Sequence, residues 1–273
     1  MKIRLPNGEW EIHDDQPLGR TGGFGPVFAG TRRGFPQLAI KRLNITATDS
    51  AYREPRIADA LARKDLRHVV PIYDFGRDAQ SDYYFIVMPK ASKSLREALD
   101  RKESFGAAEA AAVLLQVTEG LAEIDGIVHR DLKPENILLH QGAWKIADFG
   151  IATFVAESTS LSRWKDFLSP PYAAPEEWRG EPVSAATDLY AVGCTAYELV
   201  QGRTPFVGAS QKDYERQHLH SQVPALACES APMRALVSML LRKDPETRPS
   251  REQVAELLAG IANASEARAA PRH

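Results

Sequence analysis

Cysteine is scarce in this chain of 273 residues, which contains only Cys194 and Cys228. Two cysteines without paired-ligand spacing indicate neither a disulfide framework nor a zinc site, and they fit a reducing compartment. The sequence also lacks an apolar run of membrane-spanning length, and residues 1–6 turn polar too soon for a signal peptide. We expect a cytoplasmic protein with no membrane segment in this chain; an anchor would require the chain to be a fragment of a longer one.

An excess of one charge sign is missing as well. The chain has 34 Lys and Arg against 36 Asp and Glu, a formal net charge of -2. The protein therefore has no strong positive electrostatic field that would attract nucleic acid or an anionic membrane, and we expect no nucleic-acid partner. Hydrophobic residues make up 44% of the chain, which is enough for a sizeable core and for two lobes.

The stretch 127–139 reads IVHRDLKPENILL and places Asp131, Lys133 and Asn136 within six residues. Its apolar ends predict short buried strands, so the polar residues would lie on a loop held by a rigid scaffold. Taken singly, each polar residue fits a charged surface turn. Together, a carboxylate, an ammonium and an amide suit a phosphate, its metal and an attacking hydroxyl, and the string resembles the catalytic loop of protein kinases.

A glycine-rich stretch, 18–28, reads LGRTGGFGPVF. Glycines leave the backbone amides free to close over phosphates. Gly22, Gly25 and Val27 fit the later positions of the kinase pattern G-x-G-x-x-G-x-V, but its first glycine falls on Arg20, with Gly19 one residue early. We infer one extra residue at the start of this loop.

The strand-like run 38–41 ends in Lys41, sixteen residues after Gly25. A lysine there is either an edge residue with an extended stem or, as in kinases, the partner of the α- and β-phosphates. A glutamate from the next helix should brace it, and Glu54 is the candidate, with Asp59 as the fallback. Because Pro55 follows, either the helix begins at Glu54 or it is kinked there. Alternatively, Glu54 only stabilises the N-terminus of the helix through the interaction of its negative charge with the helix dipole.

The remaining pattern is a hairpin, further strands and then mainly helices. We predict a hairpin in 1–17 with its turn at 6–8, strands at 68–76, 83–88 and 144–147, a hinge at 89–91, a capping box at 94–97, and helices at 107–121, 187–199 and about 250–261. Asp148 follows the strand at 144–147 directly.

In this order the segments resemble a eukaryotic-type (Hanks-type) serine/threonine protein kinase domain over about residues 12–262. The composition, rich in alanine and arginine, is more typical of a bacterial than of an animal kinase. The resemblance implies an α+β, two-lobed fold. A small antiparallel five-stranded lobe with one helix would span 1–90 and a larger, mainly helical lobe 91–262, with ATP between them. We expect residues 263–273 to form a flexible tail.

The resemblance also assigns roles. Asp131 would orient the acceptor hydroxyl and take its proton, Lys133 would neutralise the γ-phosphate, and Asn136 and Asp148 would bind Mg²⁺. Lys133 marks a serine/threonine kinase, whose partner is a protein with a Ser or Thr acceptor. Lys41 and Glu54 would complete the catalytic set. The nucleotide-binding residues would be Leu18, Gly19, Gly22, Gly23, Gly25, Val27, Ala39, Lys41, Met88, Ala91 and Leu138.

Other matches concern architecture and regulation. Glu176 and Arg248 resemble the family's ion pair under the activation segment, Asp188 the residue that holds the catalytic loop, and Ser169 the hydroxyl beside the catalytic aspartate. Arg130 suggests regulation by phosphate on the activation segment, and self-phosphorylation would fall on Ser158, Thr159, Ser160 or Ser162. The alternative is a merely flexible, serine-rich loop.

Two other functions compete with an active protein kinase. Arg20 in the glycine loop and Pro55 leave open a pseudokinase scaffold that binds nucleotide without efficient transfer. A small-molecule phosphotransferase on a related fold is the other, but such enzymes usually lack the Ala-Pro-Glu segment at 174–176 and the later Arg248, both present here.

Overall fold

The computed structural model describes residues 1–18, 25–46, 66–102, 104–124, 126–148, 165 and 168–269. Several predicted residues lie outside this described part, namely Gly19, Arg20, Gly22, Gly23, Glu54, Pro55, Asp59, Ser158, Thr159, Ser160 and Ser162. Within the described helices, none is long and apolar enough to cross a membrane.

The predicted N-terminal hairpin is confirmed. Strand β1 (Lys2–Leu5) pairs antiparallel with β2 (Gly8–Pro17), and Leu5 lies opposite Gly8. Gly8 has a φ of 129°, a backbone conformation that the turn requires and that side chains disfavour. Ile3 lies opposite Trp10, and both are buried in the same apolar core.

Within the described residues the sheet has six strands rather than the expected five. Its order is β1-β2-β3-β4-β6-β5, all antiparallel, with β3 at Val27–Arg32, β4 at Phe35–Thr46, β5 at Asp74–Arg77 and β6 at Tyr83–Pro89. The extra strand is β1, which is retained because its alternate apolar side chains share the core of its neighbours.

The predicted strand at 68–76 was too long. Strand β5 begins only at Asp74, whereas Val69 forms an isolated bridge with Ile146 of the other lobe. Pro71 lies between the two and has no backbone N–H to donate to a ladder, which explains the break.

Side-chain bonds join the two edges of the sheet. The Asp74 carboxylate accepts hydrogen bonds from the Asn7 backbone N–H at 3.0 Å and the Trp10 indole N–H at 2.6 Å. Asp78 accepts one from the Arg4 backbone N–H at 3.0 Å. The donors belong to β1, β2 and their turn, so the edge that β1 would otherwise expose lies against β5.

The second lobe is mainly helical. Its described helices are α1 (Leu95–Lys102), α2 (Ala107–Glu123), α3 (Pro175–Arg179), α4 (Ala185–Gln201), α5 (Gln211–His220), α6 (Ala231–Leu240) and α7 (Arg251–Ala269). A three-stranded sheet accompanies them, with β7 at Lys93–Ser94, β8 at Ile137–His140 and β9 at Ala143–Ile146. Helix α4 forms the centre of the lobe, since every residue from Thr187 to Leu199 is buried.

The predicted helices at 107–121, 187–199 and about 250–261 agree with the structure to within two residues, except at the end of the last one. The capping box is present: the Ser94 N–H donates to Glu97 at 2.7 Å and the Glu97 N–H to the Ser94 hydroxyl at 3.1 Å. Helix α7 was expected to end near residue 261 but continues to Ala269, so the predicted start of the tail at 263 lies inside the helix. Residues 262–269 contain neither glycine nor proline, which explains the continuation.

Candidate active site

An apolar slot lies where the two lobes meet. Its walls are Ala39, Val70, Met88 and Ala147, all buried, with Leu18, Val27 and Leu138 partly buried against them. Ala39 and Met88 are direct partners across β4 and β6, so their side chains share a face of the sheet. The structure thus brings together five side chains predicted for nucleotide binding and adds Val70 and Ala147, which the motif comparison missed.

The chain segments beside this slot also carry predicted residues. The Leu18 N–H donates to the Val27 carbonyl at 2.8 Å, which closes the base of the glycine loop. Gly25 has a φ of 129°, in the region that favours glycine. Ala91 lies on the connection between β6 and β7, next to Lys90, whose N–H donates to the Gln37 carbonyl at 3.2 Å.

Lys41 and Asp148 form an ion pair beside the slot. Lys41 lies on β4 and is 5% exposed. Asp148 has a φ of 62°, a left-handed conformation that carries a conformational cost outside glycine. The preceding residue is fixed by a hydrogen bond from the Ala147 N–H to the Asn136 carbonyl at 2.8 Å, so this turn is tied to the catalytic loop.

Four hydrogen-bond contacts converge on the buried carboxylate of Asp131. The Ser169 hydroxyl donates to Oδ1 at 2.5 Å and the Asn136 amide to Oδ2 at 2.9 Å. The Lys133 ammonium lies 2.9 Å from Oδ1 and 2.8 Å from Oδ2, and it also donates to the Ser169 hydroxyl at 2.8 Å. The carboxylate is therefore held in a fixed orientation by groups from both the catalytic loop and the segment after residue 168.

The backbone of the predicted catalytic loop is held by Asp188 on α4. Its carboxylate accepts the His129 N–H at 2.8 Å and the Arg130 N–H at 2.9 Å. Burial raises the pKa of Asp188, and the charge of His129 with these two N–H groups opposes that rise. Residues 127–128 do not form the strand predicted there; only the other flank does, as β8.

The predicted pair Glu176–Arg248 is present and deeply buried. The guanidinium makes two parallel bonds to the carboxylate, at 2.7 and 2.8 Å, and the Thr187 hydroxyl adds a third at 2.9 Å. Burial alone would raise the pKa of Glu176, but the bonds and charge of Arg248 outweigh it and the pKa is lowered.

A second buried carboxyl group was missed. Glu177 accepts the Ala174 N–H at 2.9 Å, and burial raises its pKa to about 8, with Asp188 adding to the rise and Arg130 opposing it. It lines a small cavity together with Arg130, Asp131 and Asp188. Its one signal in the sequence is a second glutamate after Pro175.

The family model described as "Protein kinase domain" matches residues 12–258. Three similar proteins are bacterial. A probable serine/threonine-protein kinase PknB of Corynebacterium glutamicum is 37% identical over 211 residues, covering 73% of this chain and 33% of the relative. Serine/threonine-protein kinase PkaA of Streptomyces coelicolor is 40% identical over 160 residues, covering 56% and 29%. Serine/threonine-protein kinase PrkC of Bacillus subtilis is 35% identical over 197 residues, covering 69% and 30%.

The chain thus spans about a third of the length of the curated relatives it matches. The match to the family model, in contrast, runs through both lobes and includes the catalytic loop and Arg248.

Proposed function

Because the chain belongs to the protein kinase domain family, we propose that it transfers the γ-phosphate of ATP to serine or threonine hydroxyls of proteins. The observation that carries the proposal is the Asp131 carboxylate, buried and oriented by Ser169, Lys133 and Asn136. The relatives named above are serine/threonine-protein kinases, which supports the same acceptor chemistry. We place the division between the lobes at residues 90 and 91.

Asp131 would act on the acceptor hydroxyl. Its carboxylate is held in place before the substrate arrives, so little reorganisation is needed when the hydroxyl loses its proton to it. Lys133 lies on the same carboxylate and can shift its ammonium toward the transferred phosphate, since a lysine head group is a mobile point charge.

Lys41 would bind the α- and β-phosphates, with Glu54 as its proposed brace. The Lys41 ammonium is next to the apolar slot, whose aliphatic lining suits an adenine ring. We assign the nucleotide to this slot, between Val27 and Ala39 on one side and Leu138 on the other, with the glycine loop over its phosphates.

Asn136 and Asp148 fit magnesium binding. The Asn136 amide nitrogen is engaged with Asp131, at 2.8 Å to the carbonyl and 2.9 Å to the carboxylate, which leaves the amide oxygen as the atom for a ligand. An amide oxygen with a carboxylate is the hard donor set that Mg²⁺ prefers. Bound Mg²⁺ would supply neutralising charge for the phosphate oxygens.

Regulation by the activation segment is part of the proposal. We infer self-phosphorylation at Ser158, Thr159, Ser160 or Ser162, with the phosphate paired to Arg130. Arg130 has a φ of 67° and its N–H is held by Asp188, so its side chain starts from a fixed backbone.

The test is phosphate transfer from γ-labelled ATP to the protein itself and to a generic basic protein, followed by identification of the labelled amino acid. We expect label on serine and threonine from the wild type, and only background label from Lys41→Met, which loses the phosphate-binding cation. Tight ATP binding by the wild type without any transfer would overturn the enzyme proposal in favour of a scaffold.

A further inference from the structure

Arg96 lies in the first turn of α1 and connects three other parts of the second lobe. Its Nε donates to Glu135 at 2.9 Å, one terminal nitrogen donates to Glu198 at 2.9 Å, and the other donates to the Tyr172 hydroxyl at 2.6 Å. The Tyr172 hydroxyl in turn donates to Glu198 at 2.6 Å. The four side chains therefore form a closed network in which all three nitrogens of the guanidinium are used.

Two of the partners are next to groups that hold the Asp131 carboxylate. Glu135 directly precedes Asn136 in the short helical turn Pro134–Asn136. Tyr172 belongs to the turn that begins at Ser169, since the N–H of Tyr172 donates to the Ser169 carbonyl at 2.9 Å. Arg96 thus contacts the turns that present the Ser169 hydroxyl and the Asn136 amide to Asp131, without itself contacting that carboxylate.

The electrostatics keep the Arg96 guanidinium charged and the Tyr172 phenol protonated. Burial acts to lower the pKa of Arg96, but the hydrogen bond and charge of Glu198, with Tyr172 and Glu135, raise it above its ordinary value. Burial also raises the pKa of the Tyr172 phenol, so its O–H remains a donor to Glu198. A planar fork can serve three acceptors at once, whereas the single ammonium of a lysine cannot match the same directions.

We propose that Arg96 is a positioning residue for phosphoryl transfer. Its guanidinium holds the turn after Ser169 and the turn before Asn136 at the spacing that orients Asp131. The proposal rests on the kinase function proposed above. Since no described contact connects Arg96 to the nucleotide slot, its loss should lower kcat and leave the KM for ATP unchanged.

A cavity beside Arg96 makes a direct test practicable. The cavity has a volume of about 480 Å³ and is lined by Arg96, Leu99, Asp100, Ser104, Glu198, Gln201 and Gly202. A small cation from solution can therefore reach the site that the side chain leaves empty in Arg96→Ala.

The experiment compares kcat and KM for ATP in wild type, Arg96→Ala and Arg101→Ala, with and without added guanidinium ion at a concentration that does not denature the wild type. For Arg96→Ala we expect kcat to fall by about tenfold to a hundredfold, because small misplacements of reacting groups have effects of that size. Guanidinium should restore part of the loss, and methylammonium should restore less. Arg101 lies exposed on the same helix, and its replacement should change neither constant.

Tyr172→Phe provides a second, milder variant that removes one hydroxyl. We expect a smaller fall in kcat, unaffected by guanidinium because the cation is still present. The proposal is overturned if Arg96→Ala keeps the wild-type kcat, or if its loss is not restored by guanidinium while Tyr172→Phe is fully active. If the wild type itself shows no transfer above the Lys41→Met background, the proposed function fails instead.

Discussion

Asp131 and Glu176 are both buried carboxylates held by a basic side chain. They differ in how far that basic side chain is exposed to solvent. Lys133, the cation on Asp131, is 18% exposed, whereas Arg248, the cation on Glu176, is fully buried. The ammonium of Lys133 can move to a substrate phosphate, but the fork of Arg248 is fixed by two parallel bonds and has no route to solvent. Exposure of the cation, more than charge pairing itself, distinguishes the proposed reactive centre from the structural pair.

The largest stability effect should come from breaking the enclosed pair. Glu176→Gln leaves the Arg248 charge buried without its counter-ion, and we expect a loss of about 3–5 kcal/mol in the free energy of unfolding. Urea unfolding measures it. The matched control is Glu181→Gln, whose pair with Arg179 at 3.3 Å is exposed and should contribute less than about 1 kcal/mol. Equal effects for the two variants would contradict the distinction.

The second prediction concerns a buried carboxylate held by neutral donors. Asp74 accepts from the Trp10 indole at 2.6 Å, and burial raises its pKa against the effect of this bond. Trp10→Phe removes the donor but keeps an aromatic ring, so we expect a loss of about 1–3 kcal/mol in unfolding free energy. Asn7→Ala, which removes only the exposed bond to the Tyr73 carbonyl, is the control and should lose less. A smaller loss for Trp10→Phe than for this control would show that the bond between Trp10 and Asp74 does not stabilise the contact between the two edges of the sheet.

The third effect depends on pH. Glu177 has a pKa of about 8 in the folded protein against the usual 4.5, so between these values the folded state binds a proton that the unfolded chain releases. Wild-type stability should therefore fall as pH rises, by on the order of 1 kcal/mol per pH unit, and Glu177→Gln should lack that slope. Unfolding free energies at about pH 6 and about pH 8 test this. Parallel values for wild type and variant at both pH values would show that Glu177 is not protonated in the folded state.

The sequence predicted those parts of the site that depend on short, contiguous strings. Asp131, Lys133 and Asn136 converge because only four residues lie between the first and the last, and the turn between them closes locally. The hairpin turn at 6–8 and the capping box at 94–97 are local for the same reason.

Contacts between distant residues could not be predicted in this way. Trp10 and Asp74 are 64 residues apart, and Arg96 and Glu198 are 102 apart, so neither pairing leaves a periodicity or motif in the chain. Strand β1 was predicted as part of the hairpin, but its place in the six-stranded sheet was not, because the bonds that join it to β5 involve Asp74 and Asp78, which look like ordinary polar residues at a strand end. The surroundings of Glu177 likewise include residues distant in sequence, since Thr187, Asp188 and Ala191 of α4 line the same cavity.

The most direct test of the account is to measure phosphate transfer and thermal unfolding in the same preparations of wild type, Asp131→Asn and Glu176→Gln. We expect Asp131→Asn to stay folded at the assay temperature while its transfer rate falls by about a hundredfold or more, since general-base catalysis contributes at least that much. For Glu176→Gln we expect the melting temperature to fall more than the transfer rate of the protein that is still folded. Wild-type transfer by a folded Asp131→Asn protein would contradict the assignment of the chemistry to this carboxylate.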